Sequence, residues 1–300
     1  MTDRLRLIQC GIGGFGSSWL HDYVLPSPDF TLVAVVDPNE TTLHTEAAFH
    51  LQHAQQTFAH GLHLLTEKPM ADTLENARAM VHLAAEHNRQ VVVSQNYRYR
   101  PVIQTIRDLL AQQAVGPFGH GHLDFLIAGD FTGTFRETMP FPLLIDMAVH
   151  HFDLIRCVTG RDIVRVTALG FRPVWSWYAH QPGAKVLLEL EGDLPFSYNG
   201  DWSAQGRATG WNGDWRLQCA DGAVHLVDDT ITITRSGRWN RDVSTEKIDA
   251  EALAFSERAA TLHNFATAIR TGLSAETSGA DNLNTLAAVF SAVHSAEEKR

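Results

Sequence analysis

Residues 5–16, Leu5-Arg6-Leu7-Ile8-Gln9-Cys10-Gly11-Ile12-Gly13-Gly14-Phe15-Gly16, run from a short apolar segment straight into a glycine-rich turn. Leu5–Cys10 has the texture of a buried parallel strand. Gly11–Gly16 matches G-x-G-x-x-G, with a strand before it and a helix after it, which is the context the spacing needs to mean anything. Gly11 allows the tight turn, Gly13 lets the backbone approach a pyrophosphate, and Gly16 lets the helix pack closely. The helix start then offers amide N–H groups to the anion. Gly11, Ile12, Gly13, Gly14, Phe15 and Gly16 are therefore candidate cofactor-binding residues. A second apolar run, Phe30–Val36, ends in Asp37, 21 residues after Gly16. A carboxylate there can bond both ribose hydroxyls and repels a 2′-phosphate. No arginine follows it closely, so NAD(H) is favoured over NADP(H). A strand–turn–helix that holds no ligand is the alternative.

Working outward, Leu62–Leu65 and Val91–Ser94 read as two more strands. Asp72 and Glu75 between them make a capping-box spacing, followed by Leu74, Ala77, Val81 and Ala84 on one helical face. Pro38–His60 reads as a single polar helix. Strand–helix alternation predicts a parallel sheet covered on both sides. After Tyr97 the texture changes. Helices are expected over 101–113 and 146–158, and a strand over 120–127. Consecutive strand-like runs fill 161–235, predicting a mostly antiparallel sheet. Two helices, 252–271 and 279–298, close the chain. The expected fold is α/β: an N-terminal Rossmann-type parallel sheet in residues 1–97, then a C-terminal α+β domain, 98–300, with a large, mostly antiparallel open sheet. The last helix is free to pack back against the first domain.

Three hundred residues suffice for two domains of ordinary size. Acidic residues exceed basic ones by 34 to 24, a formal charge of −10, with no basic cluster to offset it. That balance argues against nucleic acid as a partner. No apolar run approaches the ~20 residues of a membrane span, and the first residues lack the apolar core of a secretory signal. Three cysteines, Cys10, Cys157 and Cys219, have no metal-ligand spacing. Reduced thiols in a cytoplasmic protein are expected.

Two segments carry chemistry. Thr66-Glu67-Lys68-Pro69 follows a strand at its C-terminal end, where open α/β sheets bind ligands. A lysine there can bond a substrate hydroxyl and a cofactor ribose together, and its charge favours a developing alkoxide; a solvated loop lysine is the alternative. In Asp146-Met147-Ala148-Val149-His150-His151-Phe152-Asp153, a helix would put Asp146, His150 and Asp153 on one side. A carboxylate beside an imidazole fixes its tautomer and suits it to general acid/base work. An ordinary Asp–His pair is the other reading. A zinc site lacks a convincing third ligand, so no metal is assigned. His120, His122 and Asp124 alternate as a solvated strand face would. His50, His53, His60 and His63 stay ambiguous. Trp202, Trp211 and Trp215 are expected on one face of the large sheet, a composition that suits a subunit interface.

These motifs resemble the Gfo/Idh/MocA oxidoreductase family, which includes glucose–fructose oxidoreductase and inositol dehydrogenase. The likeness spans GIGGFG, Asp37, Gly61–Pro69, Asn96-Tyr97-Arg98-Tyr99-Arg100-Pro101, Asp146–Asp153 and Thr277–Leu283. It implies a catalytic set of Lys68, Asp146 and His150, cofactor contacts that include Glu67 and Lys68, and Tyr97, Arg98 and His151 near the substrate. It also implies NAD as cofactor, a sugar, cyclitol or polyol as substrate, and a homo-oligomer formed through the C-terminal sheet. Ala148 stands where the family usually has glycine. Only 23 residues separate Asp37 from Gly61, roughly 30 fewer than in the family, or about one strand–helix unit; Thr45 and His50 read as remnants of its end. A non-catalytic relative that binds a nucleotide or sugar, as a sensor or assembly subunit, is the competing class. The intact Lys68/Asp146/His150 set favours the enzyme, and the short first domain favours its rival.

Overall fold

The computed structural model describes residues 3–37 and 47–298. Thr45, and the part of the Pro38–His60 helix before residue 47, lie outside the described residues. The chain divides into two compact units, 1–99 with 253–283 and 100–252 with 284–300.

In the first unit, β1 (Leu5–Cys10) runs through the glycine turn into α1 (Gly14–Ser18), which continues as a π-helical stretch, Trp19–Val24. Next come β2 (Phe30–Val36), α2 (His50–Ala59), β3 (Leu64–Thr66), α3 (Leu74–Glu86) and β4 (Val91–Val93). All pairing between these strands is parallel. It comes as two pairs, β1–β2 and β3–β4, rather than one continuous ladder among the described residues. A shared core ties the pairs together: Trp19, Phe30 and Val92 pack with Leu262, Phe265 and Ala266 from a helix near the chain's end. The expected Leu62–Leu65 strand begins two residues later, because Leu62 N bonds back to Thr57 O and closes the preceding turn. α3 starts at Thr73 rather than Asp72. The Thr73 hydroxyl accepts from Asn76 N at 3.1 Å, while Asp72 binds the Asn76 side chain.

In the second unit, α4 (Pro101–Ala111) has Pro in its first turn, where a missing N–H costs nothing. There follow β5 (Phe118–Leu126), the short α5 (Phe135–Thr138), a π-helical turn Leu143–Met147 and α6 (Ala148–Thr159). The strands β6 (Ile163–Phe171), β7 (Gly183–Leu190), β8 (Leu194–Asp201), β9 (Asp214–Cys219), β10 (Gly222–Val227), β11 (Thr230–Gly237) and β12 (Arg241–Ile248) complete it. One sheet orders them β12-β11-β10-β9-β5-β8-β7-β6, antiparallel except where β5 meets β8. Period-two burial along β7 and β8 gives it one packed face and one open face. Trp202 and Trp215 are buried on the packed side, so neither belongs to an exposed interface; only Trp211 of the three is exposed. α7 (Glu257–Thr271) lies in the first unit, and the long α8 (Gly279–Glu298) begins there and continues into the second.

Candidate active site

In the first unit, β1 delivers the chain to the glycine turn. Gly11 N bonds to Val36 O of the neighbouring strand at 2.9 Å, and Gly11 takes φ +82°, a region other residues avoid. A Cβ on Gly16 would lie 2.3 Å from Gly11 O, so nothing larger than glycine fits there. The buried Gln9 donates from Nε2 to Gly11 O (3.2 Å) and Gly16 O (2.7 Å), bracing both ends of the turn. The sequence reading missed this residue; a polar side chain inside an otherwise apolar strand, just before the glycines, was the available signal. Asp37 Oδ2 accepts from Ile12 N at 2.8 Å, which fastens the end of β2 to the turn. A close-packed glycine cradle with Asp37 beside it fits a dinucleotide pyrophosphate and ribose.

The segment after β3 is held from three sides. Glu67 Oε1 accepts from Trp19 Nε1 at 2.6 Å, and Oε2 accepts from Lys68 N at 3.2 Å. The buried His50 sets Nδ1 3.1 Å from Met70 O and 3.4 Å from Thr66 Oγ1. Lys68 is half-buried. Tyr97 sits in the 3₁₀ turn Asn96–Tyr99. Arg98, expected near the substrate, is buried and donates from Nη2 to Asp281 Oδ2 at 2.7 Å and from Nη1 to Glu276 O at 3.2 Å. Those bonds knit β4's end to the start of α8. Two more histidines here are accounted for locally. His63 Nδ1 accepts from Gln90 N at 2.9 Å, and burial, with the charge of Arg89, keeps its pKa low. His60 bonds Gln56 O one turn back.

In the second unit, all of α6 except Cys157 and Thr159 is buried. Asp146 precedes it in the π-helical turn, so the single α-helix expected over 146–158 is interrupted before His150. Arg136 grips Asp146 through two bonds, Nε to Oδ2 at 2.6 Å and Nη2 to Oδ1 at 3.3 Å. Its guanidinium also lies over the rings of Phe135 (4.6 Å) and Phe131 (5.1 Å). Arg136 is the second residue missed from sequence; it sits in the short α5, in a stretch that reads as a Phe/Gly/Pro-rich loop and whose spacing to Asp146 follows no helical period. His150 is buried at the start of α6. His151 is fully buried, with Nδ1 3.1 Å from Tyr198 OH and Nε2 3.2 Å from Trp211 O. Burial pushes its pKa down to about 3, which gives it the character of a neutral core histidine. Asp153 accepts from the Thr285 hydroxyl at 3.0 Å, and Thr285 in turn receives Arg156 at 2.8 Å, so this carboxylate anchors α6 to α8. His122 and Asp124 pair at 3.0 Å on the open sheet face. Among the described residues no group of three or more His, Cys, Asp or Glu side chains is arranged to hold a metal ion, and no helix is long and apolar enough to cross a membrane.

Two family models match the chain, together over two thirds of its length. One, described as an oxidoreductase family with an NAD-binding Rossmann fold, covers residues 21–95. The other, the GFO/IDH/MocA C-terminal domain, covers residues 103–228. The chain is 29% identical to a D-apiose dehydrogenase of Paraburkholderia graminis over 91% of its own length and 72% of that protein's. It is 31% identical to the myo-inositol dehydrogenase Hyg17 of Streptomyces leeuwenhoekii over 66% of its length and 49% of that protein's. An oxidoreductase from Agrobacterium radiobacter, solved with NAD+, L-tartaric acid and magnesium, shares its fold: TM-score 0.86 at 20% identity, covering 99% of this chain and 98% of that one.

Proposed function

The chain belongs to the Gfo/Idh/MocA oxidoreductase family, and from that premise we propose that it transfers a hydride between NAD and a secondary hydroxyl of a sugar, cyclitol or related polyol. The observation that carries this reading is the pairing of an intact glycine cradle, closed to any side chain at Gly16, with a fixed Glu67-Lys68-Pro69 segment after β3. The bound nicotinamide supplies the hydride acceptor. The Lys68 ammonium polarises the substrate hydroxyl and stabilises the alkoxide as it forms. His150 takes the hydroxyl proton. Asp146, whose carboxylate is held in place by Arg136, orients His150 and favours its imidazolium. Relatives named as D-apiose and myo-inositol dehydrogenases support a polyhydroxylated substrate, and the Asp37 carboxylate at the end of β2 favours NAD over NADP. The first unit is thus the cofactor domain, and the second carries Asp146 and His150. The open face of its sheet exposes Val164, Leu169 and Leu187 and serves as the contact between copies in a homo-oligomer.

The test is steady-state oxidation of a panel of sugars and cyclitols with NAD+. His150→Ala lowers turnover by about 10²–10⁴-fold, the usual worth of a general acid/base, while leaving NADH affinity intact. Unchanged turnover in this variant rules out the assignment.

A further inference from the structure

We propose that Arg258, the second residue of α7, contacts the pyrophosphate of the bound dinucleotide; this inference rests on the cofactor reading above. The glycine turn has no positive charge of its own, since residues 11–24 contain no lysine or arginine. Arg258 supplies one from the end of the chain. Its guanidinium lies over the ring of Phe15, the fifth residue of the turn, at 4.0 Å, and over Tyr23 and Trp19 at 5.2 and 5.6 Å. Nη1 donates to Ser18 Oγ at 3.0 Å. Phe15, Ser18, Trp19 and Tyr23 form one face of the helix that leaves the turn, and Arg258 lies along that face.

Two features mark this side chain as set for an anion. A guanidinium has five N–H donors, and among the described residues one of them is used here. Among the described residues no carboxylate pairs with it directly; Asp22 is reached only through the Ser18 hydroxyl, which donates to Asp22 Oδ2 at 2.8 Å. In a chain with an excess of ten acidic groups, an arginine held by three rings and no acid is a placed charge. The rings fix the guanidinium plane before ligand arrives, so little side-chain freedom remains to be lost on binding. Its free edge suits the paired oxygens of a diphosphate, which a planar fork recognises with two parallel bonds.

The experiment is a fluorescence titration with NADH, together with competition by ADP-ribose, which keeps the pyrophosphate, and by adenosine, which has none. Arg258→Gln weakens NADH and ADP-ribose by about 10-fold or more, the usual worth of a bond to a charged group, and leaves adenosine unchanged. Equal weakening of adenosine, or no weakening of ADP-ribose, overturns the proposal while the cofactor reading stands. If the unaltered chain binds neither NADH nor ADP-ribose, the cofactor reading falls and this inference with it. Should Arg258→Gln unfold, Arg258→Lys decides. It keeps the charge but loses the fork, and it weakens ADP-ribose by about threefold; wild-type affinity in that variant contradicts the proposal.

Discussion

His150 and His151 are neighbours in the chain, and both are buried. His151 has Tyr198 OH and Trp211 O at its two ring nitrogens and a pKa held near 3 by burial. Above about pH 6.5 this imidazole is neutral whether the chain is folded or not, so it adds no pH dependence. Below that, the unfolded chain takes up a proton that the folded chain refuses until about pH 3. Stability therefore falls with decreasing pH across this window, by at most about 1.4 kcal/mol per pH unit from this group. His151→Gln flattens that part of the melting-temperature profile between pH 6.5 and 4; an unchanged slope means that other groups set it. The sequence grouped His151 with the substrate contacts because the motif spans both histidines. A helical pattern carries no signal of which imidazole is fully enclosed when nearly every position of the helix is buried. The partners of Arg98 were hidden for another reason: Asp281 and Glu276 are 183 and 178 residues away. By contrast, the glycine turn was fully legible, because Gly11 and Gly16 are dictated by local backbone geometry.

At the scale of elements, long periodic segments were readable and their ends were not. α3 was expected from its apolar spacing, yet its cap is Thr73 and not the Asp72 that starts the capping-box pattern. Thr73→Ala accordingly costs about 1 kcal/mol of stability in urea unfolding, with Asp72→Ala costing clearly less; the reverse ranking would return the cap to Asp72. The π-helical turn Leu143–Met147 was not legible at all. It carries Asp146 just ahead of α6, where Arg136 holds the carboxylate. Alternation identified the large sheet, and β12 extends it by one strand, Arg241–Ile248, beyond the runs read as strands. That strand is exposed along nearly its whole length, and without a buried face it has no hydrophobic alternation to betray it.

At the scale of the whole molecule, the short connection after Asp37 could be counted from the sequence. The first unit carries its parallel strands as two pairs, and β1 and β2 leave Ile8, Val33, Val35 and Val36 exposed. A doubly wound sheet normally covers such residues with helices on both faces. The strand, glycine turn and helix start are all present, while the connection after Asp37 is about one strand–helix unit shorter than the family resemblance implies. Inserting such a unit at about Asn39 should therefore tighten NADH binding, and an insertion that leaves affinity unchanged would make the unit dispensable. The claim beneath all of this is that the chain holds NAD, and fluorescence titration of the unaltered protein with NADH and NADPH in parallel tests it most directly. The account predicts saturable NADH binding, competed by NAD+, and tighter than NADPH by about 10-fold or more because the Asp37 carboxylate repels the 2′-phosphate. No saturable binding of NADH, or a preference for NADPH, would contradict it.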